Sequence, residues 1–477
     1  AIENTNRMAN SVETFVLDKS FKYAKCYDDD EAVLKQRVNE GYRDKLRRGV
    51  IKKNPQYAVN VKEEFRVFKK IGMLGFMLFM SDLVRWCWAN GIPIGYCRGS
   101  VGGSTIAYLT DIIDVDPIVW HTVFSRFANE DRKELGDIDI DISPTQRHLV
   151  YEHIIDSFGL DYTAYILAIG TVSDKGTIDE IGRALSDKWT QNNIEYQAEY
   201  KRICDTIEEL SKNSDANSMY GLWETEEFGY KRLREIEQSA ANPYSLDNIA
   251  RIKKEYEEDP DGTKKKYPDI FYYFEGLLNT AISQSMHPAG IIVSPITLPD
   301  NYGTFWADGK RILQINMEEC HEVSLNKYDL LGLKNVEIIK DTCALAGIPY
   351  PKSNEINWND EKVWADIITS PAGIFQFEGD YAFKMLQSFQ PHKINDMSLV
   401  NAALRPSGAS YRDRLLAHEI NHNPSEIIDD LLKDNFGFLV FQEDTIAFLQ
   451  KICGLSGSEA DNIRRAIGRK QKDRLEK

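Results

Sequence analysis

The 477-residue chain has no Cys-x-x-Cys pair; its seven cysteines, at 26, 87, 97, 204, 320, 343 and 453, are scattered. That scatter argues against a zinc framework and a disulfide-stapled scaffold, and favours reduced thiols in a cytoplasm. Long hydrophobic runs are also missing. The most apolar stretch, "IGMLGFMLFMSDLVRWCWA" at 71–89, is interrupted by Asp82 and Arg85 and reads as a buried helix, not a membrane span. The first residues, "AIENTNRMANSVETF", carry no apolar signal region. There is no internal repeat and no low-complexity tract. Net positive charge is absent too: the formal charge of −16 argues against a generic polyanion binder.

What is present suits a well-cored globular protein. The hydrophobic fraction is 42% and the aromatic fraction 11%. The length fits roughly three domains at about 150 residues each. Charge is uneven: "RDKLRRGVIKK" at 43–53 and "RRAIGRKQKDRLEK" at 464–477 are basic. Each reads equally as a solvated helix face or as part of a path that grips phosphates.

The hydrophobic pattern places helices over 1–95 and strands at 92–97, 137–142, 163–170, 290–294, 311–316 and 325–331. A helix over 147–159 is stopped by Gly159. Residues 180–280 are polar, charged and helical, and from about 335 the chain is helical again. The simplest arrangement is an α/β (α+β) fold with a mixed sheet, a helical insertion and helical flanks.

Two stretches carry chemistry. In "GDIDIDIS" at 136–143, Asp137, Asp139 and Asp141 alternate with isoleucines, so a strand puts all three carboxylates on one face. Like charges on a strand face repel. Such a row is either a solvated edge strand or, with a third ligand from elsewhere, a site for hard cations. In "CRGSVGGST" at 97–105, glycines and serines between a strand and a helix suit a phosphate at a helix N-terminus, or form an ordinary tight turn.

Two lookalikes are set aside. Asp-x-Asp-x-Asp strands of some glycosidases end in a catalytic Glu, but Ser143 stands there. "HEINH" at 418–422 matches a zinc-protease pattern, yet Pro424 would stop the helix and no third ligand is near.

In order along the chain, the blocks resemble the bacterial family C replicative DNA polymerases, the DNA polymerase III α subunits. "IPIGYCRGSVGGSTIAYLTDIIDVDP", "FSRFANEDRKELGDIDIDIS", "ILAIGTVSDKGTIDEIGRAL", "HPAGIIVSP", "NKYDLLGLKNVEII", "GIFQFEGDYAFKML", "LVNAALRPSGA" and "FGFLVFQEDTIAFLQKICGLSGSEADNIRRAIGRK" are each similar to a family block. The likeness runs from about residue 60 to the end.

The resemblance implies a DNA-directed DNA polymerase that transfers deoxynucleotides to a primer 3′-hydroxyl. Its palm would be of the nucleotidyltransferase type, split into 1–180 and 281–334, with a thumb at 181–280 and incomplete fingers at 335–477. Asp137, Asp139 and Asp329 would form the catalytic and metal triad for two Mg²⁺ ions. Gly99, Ser100, Gly102, Gly103 and Ser104 would line the triphosphate or primer-terminal pocket. Lys175 and Lys327 match lysines near the active site. Arg464 and Arg465 match a fingers pair that neutralises the incoming triphosphate. Arg405 and His287 match motif positions, with their roles left open, and Asp141 would be a supporting carboxylate. The implied partners are primed template DNA, deoxynucleoside triphosphates, replisome proteins and a second chain supplying missing regions, with no membrane.

The chain departs from the family pattern at Gly136, where Pro is usual, and in the turn "YCRGSVGGS". Such departures suit a distant or phage-encoded member, and the family's N-terminal phosphatase-like and C-terminal clamp-binding regions have no counterpart in these blocks, as expected of a trimmed chain, one part of a split polymerase or a minimal member. The alternatives are a non-catalytic DNA-binding or assembly subunit, and a two-metal nuclease.

Overall fold

The computed structural model describes residues 2–12, 16–130, 137–192 and 242–468, together with residues 198, 201, 202 and 205. Gly136, residues 206–241 of the polar stretch and the basic tail beyond 468 lie outside the described residues.

After α1 (Ile2–Asn10), helix starts are set by local capping. The Asp29 carboxylate accepts from the Ala32 amide at the start of α2 (Asp30–Arg47). Asn54 caps α3 (Pro55–Lys70), and Pro55 takes the first helical position, where no amide donor is needed. Gly72, with φ of 72°, breaks the apolar stretch before α4 (Leu74–Ala89). α4 is buried on nearly every side, as a helix through the middle of a core must be. Among the described residues no helix is long and apolar enough to cross a membrane.

A six-stranded mixed sheet follows: β1 (Asp139–Ile142), β2 (Thr163–Thr171), β3 (Ala281–Val293), β4 (Thr304–Ala307), β5 (Lys310–Asn316) and β6 (Lys327–Gly332), in the order β1-β6-β3-β2-β5-β4. β1 runs parallel to β6 and β2 to β5, while β3–β6 and β4–β5 are antiparallel. β3 starts at Ala281, well before the expected 290. β4 was not expected. It pairs with β5 across an Asp308-Gly309 turn in which both residues have positive φ, a tight-hairpin signal that is present in the sequence.

The strand expected at 92–97 does not form. Only a single bridge joins Ile94 to Ile142, beside a hydrogen bond from the Gly95 amide to the Asp141 carbonyl. Pro93 has no amide to continue a ladder. Gly95 lies so close to β1 that a Cβ there would sit 2.9 Å from the Asp141 Cβ.

Two compact units divide the chain. The first comprises 1–167 and 286–477; the second is 168–285. The second holds α8 (Asp174–Asn192) and α9 (Leu246–Glu258) around Ile178, Ile181, Ile249, Ile252, Ile270 and Phe274. In the first, the main core joins α2, α3, α4, α5 (Thr105–Leu109) and α7 (Arg147–Phe158) to one face of the sheet. Ile138, Ile140, Ile142, Ile291, Val293, Tyr328 and Leu330 belong to it. Ile292 and Leu313 pack in a separate cluster with Ala164 and Ile166. The alternation along each strand therefore assigns its faces, and the aspartates lie on the face away from the main core. Beyond the sheet come α10 (Lys334–Ala346), α11 (Asp380–Phe389) and α12 (Ile394–Ala403); Leu386 and Phe389 of α11 and Leu399 of α12 pack with Phe377 in a further cluster. α13 (Gln442–Lys451) and α14 (Gly457–Gly468) end the described chain.

Candidate metal centre

Sheet register builds the site. Asp139 of β1 pairs with Asp329 of β6, and Asp329 pairs on its other side with Gly290 of β3. One row across three strands thus reads Asp, Asp, Gly. Asp137 lies two residues before Asp139, and ligand oxygens of Asp137, Asp139 and Asp329 fall within 4.8 Å of one another. A Cβ at Gly290 would sit 2.8 Å from Asp329 Oδ1 and 2.5 Å from the Lys327 side chain, so the glycine keeps the space over this carboxylate open.

Two cations offset part of the charge. Lys327 Nζ lies 2.6 Å from Asp329 Oδ2, and Arg98 Nη1 lies 2.8 Å from Asp141 Oδ1. Asp141 is thereby held in an ion pair outside the cluster of three. Asp329 is 6% exposed, and its Oδ1 has no hydrogen-bond partner among the described residues. Burial raises the pKa of Asp139, the charge of Asp329 raises it further, and Arg98 and Lys327 oppose the shift. A buried acceptor without a donor, next to carboxylates that repel, is a donor set that fits a hard cation.

Arg98, in the glycine-rich stretch, is the neutralising residue for Asp141, a pairing across 43 residues that no local pattern marks. Burial also raises the Asp141 pKa, and Arg98 pulls it down. A raised carboxyl pKa means the folded state holds its proton more tightly than the unfolded chain, so ionisation costs stability as pH rises through the folded value. Arg98→Ala removes the compensation. Its destabilisation should be about 1–3 kcal/mol at pH 8, with the pair one-third open to solvent on the arginine side. It should shrink toward pH 4 as Asp141 protonates, a difference that thermal denaturation at the two pH values measures.

The glycine-rich turn abuts this cluster. Residues Gly99–Gly103 form a single 3₁₀ turn that starts at Arg98. Gly99 has φ of 76°, and a Cβ there would lie 3.3 Å from Asp139 Oδ2. Ser100 is half-buried, whereas Gly102 and Gly103 are buried, with Gly103 against the Val123 carbonyl. Ser104 is fully buried and caps α5 through Ala107 N.

The N-terminus of α5 is not open to a phosphate, so of the two readings of the stretch the tight turn describes this end. Glu64 of α3 occupies it, accepting from Ser104 Oγ at 2.7 Å, Thr105 N at 2.7 Å and Ile106 N at 2.9 Å. Burial pushes its pKa up to about 7. Ser104 thus supports the turn rather than presenting its hydroxyl to a ligand. No local signal marks Glu64, because its partners lie some 40 residues away.

The remaining predicted residues are placed separately. Arg464 and Arg465 both bind the fully buried Asp461, with Arg465 Nε 2.9 Å from Oδ2. Asn129 Nδ2 also donates to Asp461, at 3.3 Å, and joins α14 to α6 (Phe124–Phe127). Thr122 beside α6 donates to the Gly102 carbonyl at 2.6 Å. Lys175 lies in the second unit and pairs with Glu257. Arg405 is exposed before a 3₁₀ turn, and its carbonyl accepts from Arg412 at 3.0 Å. His287 is half-buried on β3. The 418–422 segment is not helical; His418 has φ of 55° and its Nε2 bonds the Phe389 carbonyl at 2.8 Å.

Residues 32–332 match the family described as the bacterial DNA polymerase III alpha NTPase domain, and 335–477 match its alpha subunit finger domain. The DNA polymerase III subunit alpha of Aquifex aeolicus (strain VF5) is 29% identical over 459 residues, 93% of this chain and 38% of that protein. That of Ureaplasma parvum serovar 3 is 28% identical, with 98% of this chain and 45% of that protein covered. That of Escherichia coli (strain K12) is 26% identical, covering 94% and 37%. The chain therefore spans less than half the length of these relatives.

Proposed function

The chain belongs to the bacterial DNA polymerase III alpha family, and from that premise we propose that it is the catalytic core of a DNA-directed DNA polymerase acting in replication. Its substrates would be primed template DNA and deoxynucleoside triphosphates. The sheet would be a palm of the nucleotidyltransferase type, 181–280 the thumb and 335–477 the fingers. The observation that carries the reading is the row Asp139–Asp329–Gly290, with the open Asp329 Oδ1 at its centre.

Asp137, Asp139 and Asp329 would hold two Mg²⁺ ions, which supply an acidified primer hydroxyl and charge relief on the leaving pyrophosphate. Around them, this chain's own groups set the geometry. Lys327 binds one oxygen of Asp329 and leaves the other, beside Gly290, for a ligand. Arg98 removes Asp141 from the competition for cations. Gly99 lets backbone approach Asp139 closely, which suits a triphosphate or primer terminus there. Ser100, Gly102 and Gly103 would shape that pocket, with Ser104 as its support. Asp461 holds both the Arg464 and Arg465 guanidinium groups, which prepares them for a triphosphate. Lys175 and Arg405 would contact the nucleic acid or nucleotide.

Single-nucleotide incorporation on primed templates tests the proposal. Each template base should direct its complementary deoxynucleotide in the presence of Mg²⁺. Degradation of DNA without added nucleotide would instead support a nuclease, and tight DNA binding with no incorporation a non-catalytic subunit.

A further inference from the structure

We propose that Glu64 is a positioning residue: reaching from α3, it fixes the end of the glycine-rich turn and thereby holds Gly99 against Asp139. The inference rests on the reading of the aspartate cluster as a metal and nucleotide site.

Glu64 is 1% exposed, and among the described residues no cation pairs with it. A buried carboxylate is costly unless its oxygens are bonded, and here neutral donors do all the bonding. Oε1 takes the Thr105 amide, while Oε2 takes Ser104 Oγ and the Ile106 amide. One helical turn earlier, Asn60 Nδ2 donates to Thr105 Oγ1 at 3.0 Å. Residues i and i+4 of α3 therefore grip the first turn of α5 together. The neighbouring charges on α3, Glu63 and Arg66, are exposed and bind each other, so they do not share this load.

An apolar side chain could fill the same space, but it could not select an orientation. A carboxylate facing two amides and a hydroxyl can be satisfied only when α5 starts at one angle. The turn that precedes α5 has little slack. Gly103 rests on the Val123 backbone, the Gly102 carbonyl is bonded by Thr122, and Gly99 meets Asp139 at the other end. Fixing Ser104 therefore fixes Gly99.

Two variants of the full chain test this. Glu64→Gln keeps the size but sets an amide donor against a donor, and Ser104→Ala removes one bond with little change of volume. Hydrogen exchange over 97–106 should quicken by about tenfold or more in Glu64→Gln, and less in Ser104→Ala. Mn²⁺ affinity, read by electron paramagnetic resonance, should fall by about tenfold, as when a support behind a metal ligand is lost. In incorporation assays kcat should drop more than KM rises. A folded Glu64→Gln chain with unchanged exchange at the turn overturns the proposal. So does faster exchange with unchanged Mn²⁺ affinity. Should Glu64→Gln not fold, Ser104→Ala gives the same two readings. A wild-type chain that binds no Mn²⁺ refutes the metal reading instead, and the exchange comparison then decides the role of Glu64 alone.

Discussion

Asp329→Asn should lower single-nucleotide incorporation by about 10³-fold or more, several kcal/mol of lost charge stabilisation at the reacting centre. The same substitution should leave the melting temperature unchanged or slightly higher. The two expectations come from one geometry. Asp329 is buried, its Oδ1 has no partner among the described residues, and its charge raises the pKa of Asp139. Asn has the same shape and removes that repulsion. The cost is the Lys327 ion pair, of which the amide oxygen can keep a hydrogen bond. A site selected for stability would favour the amide; a site selected to hold a cation requires the carboxylate. Incorporation within tenfold of wild type by a folded Asp329→Asn chain would remove Asp329 from the catalytic role, and a lowered melting temperature would mean that its charge is not a burden on the fold.

Much of this site is visible in the sequence. A period of two put the aspartates of "GDIDIDIS" on one face and the isoleucines on the other, and the structure has that division. Strand alternation is local, so a single segment reveals it. Which aspartates cluster is not local. Asp141 has the same neighbours in sequence as Asp139, but Arg98 claims it from the facing turn. The choice at the glycine-rich turn between a phosphate at the helix N-terminus and an ordinary tight turn is likewise not local. Glycines and a serine before a helix do mark an open N-terminus, until a carboxylate from a distant helix fills it. The strand expected at 92–97 failed on Pro93, whose missing amide was visible, and β4 was missed although Asp308-Gly309 announced its turn. Arg98 on Asp141 and Glu64 on α5 are tertiary contacts, whereas Pro93 and the Asp308-Gly309 turn are local.

Gly41→Ala tests how tightly the scaffold behind the site is packed, and here sequence and structure predict opposite signs. Gly41 lies inside α2, where helix propensity alone makes alanine more stable by about 1 kcal/mol. Its backbone, however, touches the end of α5: an added Cβ would overlap the Leu109 carbonyl oxygen and come within 2.9 Å of its carbon. That contact is backbone, so no rotamer can relieve it. Leu109 is 1% exposed, and the other end of its short helix is gripped by Glu64 and Asn60. Either α2 moves off α5 or α5 shifts with its turn. We expect destabilisation of about 2–4 kcal/mol, at or above the usual range for an overpacked core. Incorporation should fall with it, because α5 carries the end of the turn beside Asp139. Gly276→Ala is the control. It also sits in a helical turn, at Phe274–Leu277, but nothing lies within 4 Å of its added Cβ. There propensity is unopposed, and stability should rise by about 0.5–1 kcal/mol. Denaturant titration of the two variants reads both signs, and a stabilised Gly41→Ala chain would mean that α2 and α5 do not meet this closely.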